Sequence, residues 1–307
     1  MTRVLVLGNA TLDVIQRVAR LPLPGETVLA DSTARCAGGK GLNQAVAAAR
    51  TGASTRLVAP VGRDADATFI AAALRDETGL DAQWLPCDAP TDMSAIWVAT
   101  GGENVIVSSA ACAHAVTPKQ AQHFCSTLLP GDVLVMQGNL SAEATGSAAR
   151  EARARGAILI LNTAPIAWDM RPLLGLFDIV IANEGEAELL AQGASAPFAA
   201  FLTSGVFTAI MTLGARGALI VSENTELTVD APKVVAVDSA GAGDVFVGTL
   251  AGLVANGMTI TTAVKVAVAA ASHSVTRLNT TPSFPSRAEL ASLKQAVCSV
   301  LPECPPC

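Results

Sequence analysis

The stretch DVLVMQGNLSAEATGSAAREARARGAILILN, Asp132 to Asn162, carries the rhythm that decides the fold. A short apolar run, DVLVMQG, is followed by an alanine-rich segment, Ala142 to Arg155, and then by a second apolar run, GAILILN. The outer runs read as strands apolar on both faces, and the middle reads as a helix. The rhythm continues downstream through FDIVIAN, EAELLAQ, FTAIMTLG and GALIVS. Upstream lie a helix from Pro118 through Leu128, a strand at STRLVAPVG, an Ala-rich helix at Asn43 to Arg50 and an opening strand at RVLVLG. ATFIAAALRDETG reads as a helix stopped by Gly79. Strand, helix, strand with short links predicts an α/β fold, a mostly parallel sheet covered by helices. Ligands of such sheets gather at the carboxyl ends of the strands.

Two regions break the rhythm. ETVLADSTARCAG suggests one or two edge strands, and SAIWVATGGENVIVSS reads as a hairpin around a Gly-Gly turn. They predict a small β-sheet at 14–36 and 89–110, folded as a lid over a main domain of 1–13, 37–88 and 111–307. Neither an internal repeat nor a low-complexity segment is present.

The composition sets the outer limits. Of 307 residues, 51% are apolar and 15% charged, enough to bury a large core. Tyrosine is absent and aromatics are 4%, so Ala, Val and Leu must fill that core. The formal charge is -6, with no basic block and no aromatics interleaved with Arg or Lys, so nothing favours nucleic acid as a partner. Val245 to Ala271 is the most apolar stretch, but Asn256, Gly257 and Lys265 interrupt it. It suits two buried helices better than a membrane span. The seven cysteines (Cys36, Cys87, Cys112, Cys125, Cys298, Cys304 and Cys307) are scattered, which points to a reducing compartment, the cytoplasm. Cys304 and Cys307 flank two prolines in what reads as a loose tail. His114, His123 and His273 have no zinc-like spacing and are assigned no catalytic role.

Chemistry concentrates late in the chain, at VDSAGAGDVFVG, residues 237–248. A Gly-rich turn that opens a helix exposes unpaired N–H groups, and these can receive anionic oxygen. Asp244 stands among them. In isolation, GAGD also reads as the start or cap of a helix.

Two segments resemble a known family. AGGKGLNQAVAAARTGASTRLVAPVG, Ala37 to Gly62, is similar to the N-terminal signature of the ribokinase-like (PfkB) carbohydrate and nucleoside kinases. DSAGAGDVFVG, Asp238 to Gly248, is similar to their C-terminal signature. LPLPGET, NEGEAELL, TLGARGA and SVTRLNTTPSFP fit family features in the same order, so the resemblance spans nearly the whole chain and is strongest to the ribokinase group.

The resemblance implies a three-layer fold with a β lid and an ATP-dependent kinase acting on a primary hydroxyl of ribose or a related pentose. Asp244 would be the general base, with the Gly241, Ala242 and Gly243 amides neutralising charge on the moving phosphoryl group. Thr11, Asp13, Gly39, Lys40, Asn43 and Asn139 would face the sugar. Asn183, Thr212, Gly214, Arg216, Gly217 and Gly243 would face the nucleotide, and Glu186 would hold Mg2+ through water. A K+ site would draw on Asp238, Ala240, Ser274, Arg277, Asn279 and Ser283. The lid would exclude water and interlock with a second copy to form a homodimer.

Blander roles suit several of these residues. Asp13 also reads as a turn residue, Lys40 as a solvated lysine, Asn43 as a helix cap and Arg216 as a surface arginine. Asn183 and Glu186 have capping-box spacing, and the cation loop can stand without an ion. The chain also departs from the family pattern. Thr11 stands where an Asn is usual, Asn139 where a Glu is usual and Asn279 where a Gly is usual. These changes leave the phosphate chemistry intact but open the substrate to other pentoses, ketoses, modified sugars or nucleosides. A nucleoside kinase would need a base pocket, for which Trp97 is available. A non-catalytic sugar-binding protein would have lost Asp244 or its glycine turn. A Rossmann dehydrogenase would need an early G-x-G-x-x-G turn, which is absent.

Overall fold

The computed structural model describes residues 3–101, 103–191, 201–202, 204–223 and 225–299. Cys304, Cys307 and Gly102 of the Gly-Gly turn lie outside them. Nine strands form the main sheet in the order β13-β12-β11-β10-β9-β8-β1-β4-β5. Its centre is β1 (Arg3–Leu7), β4 (Ser54–Val61), β8 (Val133–Gln137), β9 (Ile158–Asn162), β10 (Ile179–Asn183) and β11 (Thr208–Thr212), all parallel. The quoted stretch supplies the adjacent pair β8 and β9 with Ala142–Ala154 between them as the crossover helix.

Alternate residues of these strands enter opposite cores. Val4, Val6, Val133 and Val135 face one side, while Leu5, Leu7, Leu134 and Met136 face the other. Both faces are therefore buried, which is why the strands read as continuous apolar runs. One layer contains α1 (Lys40–Arg50), α8 (Ala242–Ala255), α9 (Ile260–Ser274) and α10 (Arg287–Cys298). The other contains α3 (Ala111–His114), α4 (Pro118–Cys125), α5 (Ala142–Ala154), α6 (Arg171–Leu174) and α7 (Glu184–Ala191). Val245 to Ala271 is thus two buried helices, α8 and α9. Among the described residues no helix is long and apolar enough to cross a membrane.

Several details differ from the sequence reading: the helix predicted from Pro118 through Leu128 ends at Cys125, and Thr11–Val18, not predicted as a strand, forms one. The helix predicted to run to Gly79, α2 (Ala65–Ala73), ends at Ala73. Leu80–Pro86 then forms β5, an edge strand beside β4 whose half-exposed, mixed composition hid it. Thr225–Val229 forms β13, which with β12 (Ala218–Ser222) closes the other edge in antiparallel fashion.

The small sheet has the order β3-β2-β6-β7, built from β2 (Thr11–Val18), β3 (Ser32–Gly38), β6 (Met93–Ala99) and β7 (Asn104–Ser108). β2 pairs antiparallel with β3 and parallel with β6. Its first strand leaves the main sheet just after β1, and β3 returns directly into α1. Asp13 and Lys40 therefore stand near the roots of the small sheet. Where its second excursion begins and ends, Cys87 Sγ and Cys112 Sγ lie 2.7 Å apart.

α1 and α8 pack closely because α8 has no side chain at two points of contact. A Cβ on Gly248 would lie 2.2 Å from the Gln44 carbonyl oxygen and 2.6 Å from Ala47 Cβ, and one on Gly252 would lie 2.3 Å from Thr51 Oγ1. Alanine at 248 would gain about 1 kcal/mol of helix propensity. The obstructing atom is backbone and cannot turn aside, so the overpacking cost of about 1–3 kcal/mol should win. Gly248→Ala is expected to lower the melting temperature, as measured by thermal denaturation.

Candidate active site

The parallel strands end in polar residues on one side of the sheet. Asn9 follows β1, Gln137 ends β8, Asn139 follows it, Asn162 ends β9, Asn183 ends β10 and Thr212 ends β11. α1 and α8 both begin at this edge. The N-cap of α8 is Gly241 at φ 78°, a left-handed conformation that turns the chain sharply into the helix. Gly39 precedes α1 at φ 95°, and a Cβ there would come within 2.9 Å of Ala10 Cα and Thr11 N. Gly243, in the first turn of α8, has no heavy atom within 4 Å of its missing Cβ, so the start of this helix faces open space.

Two cavities meet here. The larger, about 670 Å³, lies between the small sheet and the main body. Asp13, Ile15, Ser94 and Ile96 line its roof, while Gly39, Asn43 and Asn139 line its floor. The smaller, about 130 Å³, is lined by Asn162, Asn183, Glu186, Thr212 and Gly243. Lys40, Gly241 and Asp244 border both.

Asp244 is buried, and each of its oxygens accepts one side-chain amide. Asn43 Nδ2 donates to Oδ2 at 3.0 Å, and Gln44 Nε2 donates to Oδ1 at 3.0 Å. Asn43 is therefore more than a helix cap: its Nδ2 holds the carboxylate, while its buried Oδ1 has no partner. Asn139 Oδ1 is likewise buried without a partner. Two unsatisfied acceptors at one cavity call for a hydroxyl-rich occupant.

Asp13 is 4% exposed and accepts the Thr11 hydroxyl at 2.7 Å. Burial pushes its carboxyl up to about 6; hydrogen bonds from Thr11 and Ser94 oppose that rise, and the charge on Asp244 adds to it. Thr11 thus commits its proton to its neighbour.

Asn183 and Glu186 form a reciprocal cap at the start of α7. The Asn183 amide donates to Glu186 Oε1 at 2.8 Å, and Glu186 N donates to Asn183 Oδ1 at 2.8 Å. Thr163 Oγ1 donates to Glu186 Oε2 at 2.9 Å. Thr212 lines the small cavity, and Gly214, Arg216 and Gly217 form the turn beyond it. Arg216 is exposed and ion-paired with Glu184.

The residues suggested for a monovalent cation form a self-bonded loop. Asp238 Oδ1 accepts Ala240 N at 2.9 Å, Asp238 Oδ2 accepts Asn279 N at 3.1 Å, and Arg17 Nη2 lies 3.6 Å from that oxygen. Asn279 has φ 73° and so adopts the left-handed backbone of a glycine. Ser274 and Ser283 donate to the carbonyls of Ala271 and Thr280, and Arg277 pairs with Glu289.

Sequence reasoning missed Gln44, Gln137 and Asn162. The adjacent amides of LNQ, and the polar residue that ends each apolar strand, were the available signals. Trp97, considered for base stacking, donates its indole N–H to Gln16 at 2.8 Å. Ser94, Ile96 and Val98 of the same strand line the cavity, so by alternation Trp97 faces the other way. No Phe or Trp lines the large cavity among the described residues.

The raised Asp13 carboxyl has a measurable consequence. An ordinary aspartate titrates near 3.8, so above pH 6 the folded protein carries a buried charge that the unfolded chain holds more cheaply. Asp13→Asn should stabilise the ligand-free protein at pH 8 by up to about 3 kcal/mol, since each tenfold rise in proton affinity is worth about 1.4 kcal/mol. The advantage should shrink as pH falls through 6 and vanish near 4, which denaturant melts across that range would measure.

Comparison with known proteins agrees with this geometry. The chain is 32% identical to the ribokinase of Staphylococcus aureus over 256 residues, covering 80% of this chain and 84% of that one. It is 28% identical to the deoxyribokinase of Salmonella typhi over 292 residues, covering 92% and 95%. The crystal structure of ribokinase from Thermotoga maritima superposes with a TM-score of 0.87 at 28% identity, covering 95% of this chain and 99% of that one. The sequence pattern described as pfkB family carbohydrate kinase matches residues 1–287. With its nine-stranded sheet, separate small sheet and buried carboxylate at the head of α8, the chain belongs to the pfkB family of carbohydrate kinases.

Proposed function

We propose that the protein transfers the terminal phosphoryl group of ATP to a primary hydroxyl of ribose or a closely related pentose. The observation that carries this reading is the position of Asp244, buried where the large and small cavities meet and at the head of a helix whose N-terminus is open. A sugar in the large cavity and a phosphate chain in the small one would approach each other at this carboxylate. Asp244 takes the proton of the attacking hydroxyl, a new O–P bond forms, the bond to the bridging oxygen breaks and ADP leaves. The amides of Gly241 and Gly243, with the Lys40 ammonium, receive the charge on the phosphoryl oxygens, whereas the Ala242 amide, also expected there, donates to the Ser239 carbonyl at 3.3 Å.

The unpartnered oxygens of Asn43 and Asn139 accept sugar hydroxyls, and Asp13 offers a charged acceptor beside them. A neutral Asn139 and a Thr11 hydroxyl committed to Asp13 select against a substrate that needs a carboxylate in place of Asn139 or an amide in place of Thr11. A cavity without Phe or Trp favours a sugar over a nucleoside. The ribokinases and the deoxyribokinase among the relatives are named for substrates of this class.

The donor set of the small cavity fits a hydrated divalent ion. It offers one carboxylate, Glu186, whose oxygens already accept from Asn183 and Thr163, and so it suits an ion held through water and phosphate. Mg2+ bound there supplies positive charge to the phosphate oxygens. Thr212, Gly214 and Gly217 border the nucleotide, with Arg216 at its rim. Potassium belongs to this reading as an accessory beside Asp238. The side chains of Ser274, Arg277 and Ser283 in that loop are already engaged, so the ion would rest on backbone carbonyls such as that of Ala240. β7 is an exposed edge strand with Val105 and Val107 pointing outward, and a homodimer through the small sheet would cover it.

The test is acceptor-dependent ADP release with Mg2+, with and without K+, on ribose, deoxyribose, other pentoses, fructose and nucleosides. One pentose should be strongly preferred, and Asp244→Asn should lower its turnover by about 10²–10⁴-fold with ATP binding retained. Turnover of a nucleoside but of no sugar would overturn the substrate class, and an Asp244→Asn enzyme of wild-type rate would overturn the base.

A further inference from the structure

Behind Asp244, away from both cavities, runs a chain of two buried glutamines. Gln44 on α1 and Gln137 at the end of β8 are each 0% exposed. Gln137 Nε2 donates to Gln44 Oε1 at 2.8 Å, and Gln44 Nε2 donates to Asp244 Oδ1 at 3.0 Å. Neither glutamine lines the large or the small cavity.

The directions of these bonds follow from the carboxylate. An ionised Asp244 can only accept, so the nitrogen of Gln44 must face it. The Gln44 carbonyl oxygen then points back into the core, where only a donor can satisfy it, and Gln137 supplies one. Gln137 is held at its other end by packing alone: its Oε1 is buried without a hydrogen-bond partner, and a Cβ on Gly8 would lie 2.0 Å from it, so the side chain lies against bare backbone of the β1 loop. Two fully buried primary amides are costly unless they are bonded, and apolar side chains of the same size would fill this space at less cost. A chain that retains them here gains orientation rather than stability.

Asn43 grips the other oxygen, Oδ2, from the cavity side. The carboxylate is thus held by consecutive residues of one helix, one amide per oxygen, and only the Gln44 arm is anchored in the core. We propose that Gln44, braced by Gln137, is a positioning residue that fixes the plane of the Asp244 carboxylate toward the acceptor hydroxyl. The inference rests on Asp244 being the base. It adds that the geometry of the base is set by a relay that touches neither substrate.

The test uses the isosteric variants Gln44→Met and Gln137→Met, with kcat, both KM values and melting temperature measured for each. Gln44→Met should lower kcat by about 10–100-fold, the scale of a misplacement near 1 Å, with both KM values within about threefold of wild type. Gln137→Met should give a smaller fall in kcat. The double variant should be no slower than Gln44→Met, because Gln137 acts only through Gln44. In an Asp244→Ala background Gln44→Met should cost nothing further. Gln44→Leu carries the same expectations and stands in for Met should that variant not fold.

A Gln44→Met enzyme with wild-type kcat would overturn the relay, as would a loss confined to KM, or one of equal size in the Asp244→Ala background. Each of those outcomes leaves the base assignment standing. An Asp244→Ala enzyme of wild-type activity would instead bring down both.

Discussion

The approach of α1 to α8 is the constraint on which the rest of the site depends. Asn43 and Asp244 have short side chains, and that of Gln44 is only one methylene longer. The three meet only because Gly248 and Gly252 let one helix lie against the backbone of the other. Those glycines weaken an isolated helix, and tertiary packing more than offsets the loss. The same contact draws the N-termini of both helices to the carboxyl edge of the sheet. Lys40, Gly241 and Gly243 thereby come to border a common space, the small cavity.

The site gathers negative groups before any ligand enters. Asp13 and Asp244 sit at one cavity, and the charge of the second adds to the burial that raises the first. A buried, raised carboxyl costs stability at neutral pH, and such costs collect where function needs them. Hydroxyl donors from a sugar would relieve Asp13. Positive charge from Lys40 and a hydrated cation would offset Asp244 and the phosphates. In the proposed reaction the two substrates therefore complete the electrostatics of the site as well as fill its cavities.

Several small residues had two readings, and the structure often supports the plainer one without excluding the other. Asn183 and Glu186 are a helix cap, yet Glu186 still borders the small cavity. Asn279 occupies the glycine-like conformation that its place in the loop demands. Asp238 closes that loop by accepting two backbone amides. A capping carboxylate and a ligand-facing carboxylate are the same chemistry, an acceptor directed at the nearest donor, so spacing alone cannot separate them.

The α/β rhythm and the two-helix reading of Val245 to Ala271 were legible in the chain because both sheet faces are buried and strand and helix periods differ. The glycine turn before Asp244 was legible because backbone geometry demands it locally, and the paired GGKG and GAGD signatures pointed to the family. The edge strands β5 and β13 were not, since an edge strand has a half-exposed, mixed sequence that no period distinguishes from a loop. Nor were Gln44 and Gln137, which are 93 residues apart and meet only when α1 packs across β8. Trp97 illustrates the same limit, because which face of a strand meets a cavity depends on what packs over it. Local order follows from neighbours along the chain, whereas the partners of a buried polar group come from distant segments that only the completed fold brings together.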